Sequence, residues 1–399
     1  MPGMPQAAGI FPASGDQLLI PSIHTVNVYS PATKRSAGLF ALLFFCRIFV
    51  FKTLSMSSIQ YKTPMKHLLT CLTLAVVALT GCSGKTGATA AGSSAGSDSG
   101  KTALRADADT LFSLVERQVA FGPRNPGSEG HARCVDFITG TLRAYGADTV
   151  EVQPFTAVTH DGKTHEGRNI FARINPQAKE RTLLLAHYDT RPWADNDPDP
   201  ANHTTPVTGA NDGASGTAVL LEAARLLAPA LPDSVGLDLL FVDLEDSGES
   251  GGGAETEQTW CLGTQEWIKD LPYESDDRPR QAILFDMVGG TDAVFHQEYF
   301  SLHHAAGLVN RFWEAARRAG FADRFPRRLG GGVVDDHLFI NRAGIPCIDV
   351  IESVNPATGT FNPTWHTVDD NLANIDRSSL RAAAQALLEF LTPSDVNDQ

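Results

Sequence analysis

One stretch of the sequence decides the fold: Val207-Thr208-Gly209-Ala210-Asn211-Asp212-Gly213-Ala214-Ser215-Gly216. The apolar segment 182–186 precedes it, and a segment with helical spacing of apolar residues, 218–227, follows it. This order predicts a strand, a loop, a carboxylate and a helix. Small residues let the backbone turn tightly, and the positive end of the helix dipole favours an anion there. Asp212 is therefore either the N-cap of the helix or a functional carboxylate.

Strand and helix patterns alternate on both sides of this stretch. Because strands separated by helices form parallel sheets, we predict a single α/β domain with a mainly parallel, mixed central sheet flanked by helices. The first two strands are expected to form an antiparallel edge. Helices are predicted at 104–119, 131–145, 214–228, 305–319, 337–342 and 378–391, and strands at 150–155, 169–174, 183–186, 239–242, 283–285 and 347–351.

Acidic residues and histidines are concentrated where the predicted strands end. Sites in sheets of this kind form beyond the carboxyl ends of the strands. One acidic strand end is commonplace, but several clustered carboxylates repel one another unless a cation neutralises them, and a mixed His and Asp set suits zinc. The sequence therefore predicts a metal site, and its candidate residues are His187, Asp189, Asp212, Glu245, Asp246, Asp286 and His366.

The N-terminal region has the features of a targeting segment. Residues 1–64 do not have the pattern of a folded domain, and we interpret them as an over-extended N-terminus. Residues 65–81 have a basic start, an apolar core and the ending Leu-Thr-Gly before Cys82, which is typical of a bacterial lipoprotein signal peptide; the alternative is a buried hydrophobic helix. We expect a mature chain that begins at lipidated Cys82 and lies in the bacterial cell envelope, at the outer membrane and facing the periplasm.

The segment after Cys82 is expected to be a flexible tether. Residues 82–103 are rich in Gly, Ser, Ala and Thr, and such a stretch buries too little apolar surface to fold. Residues 104–392 are long enough for one large catalytic domain, and residues 393–399 form a short tail.

The net charge and the cysteines argue against two functional classes, nucleic-acid-binding proteins and enzymes with a cysteine nucleophile. The net charge of −14 argues against nucleic acid as a partner. The domain contains Cys134, Cys261 and Cys347 without a CxxC pair, so a cysteine nucleophile has no supporting context. Cys134 and Cys347 are expected to be small core residues. One disulfide is possible, but the sequence cannot pair it.

The domain resembles the co-catalytic zinc aminopeptidase superfamily, and within it the bacterial glutaminyl-peptide cyclotransferases, or glutaminyl cyclases. The motifs that carry this resemblance extend over most of the domain and are specific as a set. They are 186–195 (Ala-His-Tyr-Asp-Thr-Arg-Pro-Trp-Ala-Asp), 209–216 (Gly-Ala-Asn-Asp-Gly-Ala-Ser-Gly), 243–246 (Asp-Leu-Glu-Asp), 260–265 (Trp-Cys-Leu-Gly-Thr-Gln), 335–337 (Asp-Asp-His) and 365–367 (Trp-His-Thr).

The resemblance implies one zinc ion per chain, with a coordination position left open for substrate. It also implies a general acid/base, two acidic hydrogen-bonding partners and hydrophobic pocket walls. The animal enzymes carry Glu at the position of Asp246, so the ligand here has a shorter side chain. The implied ligands are Asp212, Asp246 and His366, the acid/base is Glu245, its partners are Asp286 and Asp336, and the walls are Trp260, Phe361 and Trp365.

The implied substrate is a peptide or protein with N-terminal glutamine. Zinc would polarise the γ-carboxamide, and the α-amine of the substrate would attack it, so that pyroglutamate forms and ammonia leaves. Glu245 would move the proton from the amine to the departing nitrogen. Neighbouring Asp286 and Asp336 would raise the pKa of Glu245.

Two other functions are compatible with the sequence. A two-zinc aminopeptidase would use His187 and Asp286 for a second metal, with Asp212 bridging and Glu245 activating a metal-bound water. A lipoprotein that keeps the fold only as a binding module is the third possibility, and the presence of Glu245 argues against it. For Asp336 a second interpretation is open, in which the pair 335–336 only caps the following helix. The Gly-rich insertion 247–259 lies directly before Trp260, where a lid could form.

Overall fold

The computed structural model describes residues 10–11, 103–274 and 277–392. The expected signal peptide, Cys82, the tether as far as residue 102 and the tail 393–399 lie outside this part of the chain. No helix within the described residues is long and apolar enough to cross a membrane.

Six strands form one mixed sheet at the centre of the domain. They are β2 (Thr149–Val158), β3 (Thr164–Ile174), β4 (Glu180–His187), β5 (Val235–Val242), β6 (Gln281–Phe285) and β8 (Cys347–Val350), and their spatial order is β2-β3-β5-β4-β6-β8. The pairs β2-β3 and β3-β5 are antiparallel, and the other pairs are parallel. The predicted sheet with an antiparallel edge is therefore confirmed. Two short strands, β1 (Ile10–Phe11) and β7 (Gly332–Val333), pair separately and antiparallel.

Helices cover both faces of the six-stranded sheet, because side chains along each strand alternate between two apolar cores. On β4, Leu184 and Ala186 belong to the larger core, whereas Leu183 and Leu185 belong to the smaller one. The larger core is covered by α1 (Ala108–Val119), α2 (Glu129–Ala144), α3 (Ala214–Leu227), α5 (Tyr299–Arg318) and α7 (Arg377–Leu391), and the smaller by α4 (Leu262–Trp267) and α6 (Asp336–Arg342).

Two helix starts differ clearly from the sequence prediction: α1 begins at Ala108 rather than at residue 104, and the start of α5 differs by more. Helix α5 begins at Tyr299 rather than at residue 305. The carboxylate of Glu298 caps its first turn by accepting hydrogen bonds from the backbone N–H groups of Phe300 and Ser301. The backbone leaves helical geometry at Ala305, so the helix has an irregular point close to the predicted start.

Candidate active site and metal centre

The parallel strands bring the predicted acidic residues and histidines to one edge of the sheet. His187 is the last residue of β4, Asp286 follows β6 directly, and Glu245 and Asp246 lie shortly after the end of β5. His366 arrives from the segment after β8. All of these side chains are buried, and all except His187 line a single cavity. The sheet topology thus assembles the site from segments far apart in the sequence.

Asp212, Asp246 and His366 form the first group with the spacing of metal ligands. One atom from each lies within 4.8 Å of the others. The Nε2 atom of His366 lies 3.0 Å from Asp246 Oδ1 and 3.7 Å from Asp212 Oδ2. Asp246 Oδ1 is buried and has no hydrogen-bond partner of good geometry within the described residues. A buried carboxylate oxygen without a hydrogen-bond partner, next to an imidazole nitrogen, fits a zinc ion, because the cation would bind both atoms.

His187, Asp212 and Asp286 form a second group, again within 4.8 Å of one another. The Nε2 atom of His187 lies 2.9 Å from Asp212 Oδ1 and 3.0 Å from Asp286 Oδ1. The two carboxylate oxygens of Asp212 therefore face different groups, which is the arrangement that a bridging ligand requires. Burial raises the pKa of Asp212, but the hydrogen bond and charge of His187 outweigh it, so that the net pKa is lowered.

The loop around Asp212 presents its carboxylate to the cavity instead of capping α3. The N-cap position of α3 is Gly213, and no side chain caps that helix end. Both carboxylate oxygens of Asp370 accept backbone hydrogen bonds, from the N–H of Asn211 at 2.7 Å and of Asp212 at 3.1 Å. The capping alternative for Asp212 is therefore wrong. Its side chain is free for the cavity because Asp370 holds its backbone.

Glu245 and Asp246 are positioned by Asp189, whose two carboxylate oxygens accept hydrogen bonds from their backbone N–H groups at 3.2 Å each. The thiol of Cys261 donates to Glu245 Oε1 at 3.3 Å. Burial raises the pKa of Glu245 well above its usual range, and although the charge of His187 opposes this rise, the charge of Asp335 adds to it. A carboxyl with a raised pKa is suited to proton transfer near neutral pH.

Asp335, and not Asp336, lines the cavity beside Glu245. One atom each of Glu245, Cys261 and Asp335 lies within 4.8 Å of the others. Asp336 is fully buried but does not line the cavity. The role expected for Asp336 stays a prediction: its charge also helps to raise the pKa of Glu245, but Asp335 is the member of the pair that lines the cavity. The difference is local: Asp335 is the extended N-cap residue of α6, whereas Asp336 is the first residue of the helix.

Aromatic side chains close the cavity on one side, as expected for Trp260, Phe361 and Trp365. The Trp365 ring is 4.6 Å from that of Phe361 and 3.9 Å from the imidazole of His366, centroid to centroid. The Trp260 ring stacks on the same imidazole at 6.2 Å. The imidazole of His366 is thus held between two indoles, which fixes its plane at the cavity wall.

The sequence predicts no role for Asp370 and Arg124, and it marks Asp189 only as a candidate metal-site residue. Asp189 instead binds backbone N–H groups and belongs to no metal-ligand group among the described residues. Arg124 is fully buried and donates to the backbone carbonyls of Tyr188, Thr208 and Gly209, so it braces the loop that carries Asp212. All three side chains form hydrogen bonds to backbone groups of the loops around the site. In the sequence each is an ordinary polar residue in a loop, so no motif marks this role.

Cys134, Cys261 and Cys347 are buried, and no disulfide joins any of these three.

Comparison with known proteins supports the resemblance seen in the motifs. Residues 169–391 match Peptidase family M28. The chain is 43% identical in sequence to Bacteroides thetaiotaomicron glutaminyl cyclase, whose crystal structure was determined bound to N-acetylhistamine. The two structures superpose with a TM-score of 0.69, and the alignment covers 73% of this chain and 99% of that one. A leucine aminopeptidase precursor from Bacteroides thetaiotaomicron VPI-5482 is also 43% identical, with a TM-score of 0.68, covering 73% and 98%.

Among sequence relatives, the glutaminyl-peptide cyclotransferase of Bos taurus is 27% identical over 300 residues, which cover 67% of this chain and 77% of that protein. The fold that the motifs predicted is thus confirmed by proteins of known structure. Because the family match extends over more than half of the sequence, the chain belongs to peptidase family M28.

Proposed function

We propose that this protein is a glutaminyl-peptide cyclotransferase, which converts the N-terminal glutamine of peptides or proteins into pyroglutamate and releases ammonia. The observation that carries the proposal is the cavity itself. It combines the metal-ligand group of Asp212, Asp246 and His366 with a buried carboxyl, Glu245, and aromatic walls. The similarity to solved glutaminyl cyclases supports the same activity.

The metal in this proposal is one Zn²⁺ ion per chain, held by Asp212, Asp246 and His366. The His and Asp donors suit zinc, and three protein ligands leave a position open, as in catalytic zinc sites. When bound, zinc supplies Lewis-acid polarisation of the γ-carboxamide oxygen of the substrate glutamine.

Glu245 is the proton carrier of the proposed reaction. The α-amine nitrogen of the substrate forms a bond to the γ-carboxamide carbon, and Glu245 accepts the proton that this nitrogen loses. Glu245 then donates the proton to the amide nitrogen, whose bond to the same carbon breaks, so that ammonia leaves. Asp335 keeps Glu245 suited to this role, because its charge disfavours a second ionised carboxylate nearby.

The aromatic walls supply proximity in the proposed reaction. Trp260, Phe361 and Trp365 line a narrow cavity in which the flexible glutamine side chain folds back towards its own amine. Holding these two groups together lowers the entropic barrier to ring closure. The same walls keep water away from the polarised carbon, which protects the substrate from hydrolysis.

A two-metal aminopeptidase is the second candidate, and one observation favours it. Asp212 has one oxygen near each of the two ligand groups, as a bridging carboxylate would. Two substrates separate the candidates: a Gln-initiated dipeptide and a Leu-initiated chromogenic amide. The cyclotransferase releases ammonia and a cyclised dipeptide from the first and leaves the second intact. An aminopeptidase cleaves the second substrate.

We further propose that the mature protein is a lipoprotein of the bacterial cell envelope, anchored through Cys82 at the outer membrane and facing the periplasm. The support is the sequence pattern of residues 65–82 alone. An anchored enzyme on a flexible tether would act on peptides and proteins that pass through the periplasm.

A further inference from the structure

Arg191 makes a dense set of contacts next to the metal-ligand group, although it lies outside the cavity. The side chain is fully buried, and each of its five N–H groups has an acceptor. Two of these hydrogen bonds reach the carboxylate of Asp195, at 2.7 and 3.1 Å. The other acceptors are the backbone carbonyls of Asp246 and Gly248, at 3.2 and 3.0 Å, and the hydroxyl of Ser250, at 2.6 Å.

Asp195 connects this guanidinium to the histidine of the metal-ligand group. Its Oδ1 atom lies 3.4 Å from Nδ1 of His366, the ring nitrogen that faces away from Asp212 and Asp246. Its Oδ2 atom also accepts a hydrogen bond from Ser250 Oγ at 2.6 Å. The backbone N–H of the next residue, Asn196, donates to the carbonyl oxygen of His366 at 3.1 Å. Both the ring and the backbone of His366 are thus held from the same short loop.

Aromatic rings hold Arg191 from the sides. Its guanidinium carbon lies 4.9 Å from the ring centre of Trp193 and 4.9 Å from that of Trp260. The Trp260 ring in turn stacks on His366. Arg191 therefore touches the backbone of one metal-ligand residue, Asp246, and reaches the other, His366, through both Asp195 and Trp260.

We propose that Arg191 and Asp195 are positioning residues that clamp His366 and Asp246 in the orientation needed for metal binding, an inference that rests on the proposed metal site. The carboxylate of Asp195 faces Nδ1 of His366 at 3.4 Å, without a hydrogen bond of good geometry among the described residues. Its negative charge favours a proton on Nδ1, so the imidazole presents Nε2 to the metal. Arg191 fixes Asp195 in turn and holds the chain at Asp246 and Gly248. The clamp also ties the start of the Gly-rich insertion to the metal ligands through Ser250.

Zinc affinity tests the clamp without any measurement of activity. The Zn²⁺ dissociation constant would be determined by competition with a chromophoric chelator for the wild type, Asp195→Asn, Arg191→Lys and Ser250→Ala. We expect about 10–100-fold weaker binding for Asp195→Asn, the usual scale when the partner of a metal-bound histidine is lost. Arg191→Lys keeps the charge but loses the two-pronged contact, so it should also bind more weakly. Ser250→Ala removes one hydroxyl and should have a smaller effect.

The matched control is Asp238→Asn. Asp238 is also a buried carboxylate that accepts hydrogen bonds from a buried arginine, Arg181. It belongs to none of the metal-ligand groups found among the described residues. The Asp238→Asn variant should lower thermal stability and leave the zinc affinity of the folded protein unchanged. Wild-type zinc affinity in Asp195→Asn and Arg191→Lys would overturn the clamp. If Asp195→Asn does not fold, Arg191→Lys and Ser250→Ala decide the matter. A wild-type protein that binds no zinc would instead refute the proposed metal site.

Discussion

Glu245 and Asp246 are neighbours in the chain, yet their carboxylates serve different parts of the cavity. Asp246 Oδ1 lies 3.0 Å from His366 Nε2 in the metal-ligand group, whereas Glu245 Oε1 accepts a hydrogen bond from Cys261 Sγ at 3.3 Å. Asp189 fixes the backbone of both residues by accepting a hydrogen bond from the N–H group of each. This division predicts different consequences for substitutions at the two positions.

Glu245→Gln should abolish proton transfer and spare the metal. The amide keeps the size of the carboxyl but cannot accept the proton, so turnover should fall by roughly a hundredfold or more, while zinc content and substrate affinity stay nearly unchanged. Steady-state kinetics together with metal analysis of the same sample would check this. Asp246→Ala is the matched comparison and should weaken zinc binding. Loss of zinc in Glu245→Gln with full retention in Asp246→Ala would reverse the assigned roles.

The two histidines of the metal-ligand groups, His187 and His366, should differ in their effect on zinc binding. His366→Ala removes one of three proposed ligands, so it should lose the metal. His187→Ala should keep one zinc ion per chain, because His187 belongs only to the second group. Elemental analysis of both purified variants gives the answer. Two tightly bound zinc ions in the wild type, one of them dependent on His187, would favour the aminopeptidase.

The acidic pair at the start of α6, Asp335 and Asp336, offers a test of which carboxylate supports Glu245. Asp335→Asn should lower turnover by roughly tenfold or more, because Asp335 lines the cavity beside Glu245 and its charge supports the raised pKa of that carboxyl. Asp336→Asn should change turnover less, since Asp336 does not line the cavity. Kinetics of both variants at equal zinc content would separate them. A larger loss of turnover in Asp336→Asn would show that Asp336 is the main acidic partner of Glu245.

Cys82→Ala should release the protein from the membrane fraction of a bacterial host. The thiol of Cys82 is the proposed lipid attachment point, and without it the signal peptide has no lipidation site. Fractionation followed by intact mass analysis would show the change. A mature wild-type chain that still carries residues 1–64, or that lacks lipid, would contradict this proposal.

The sequence predicted the sheet and most of the site because both depend on strong local signals. Apolar segments of strand length mark β4, β5, β6 and β8, and parallel strands necessarily bring their carboxyl ends to one edge. Side chains at the end of those strands or directly after them, such as His187 and Asp286, could therefore be placed without coordinates.

The side chains that hold the site could not be predicted, because their partners are distant in the chain. Arg124, Asp189 and Asp370 bind backbone groups of loops, and those contacts exist only once the loops have assembled. The one-residue difference between Asp335 and Asp336 has a similar origin. It depends on where α6 begins, and helix boundaries are poorly determined by sequence patterns.

Water labelled with the heavy oxygen isotope tests most directly whether the substrate amine, and not water, is the nucleophile. The zinc-loaded protein would be incubated with a Gln-initiated dipeptide in this labelled water, and the masses of the products would be measured by mass spectrometry. The proposed function predicts a pyroglutamyl product that has lost one molecule of ammonia, keeps its peptide bond and contains no labelled oxygen. Free glutamine and a released second residue, with the label in the new carboxyl group of glutamine, would show peptide hydrolysis and contradict the account.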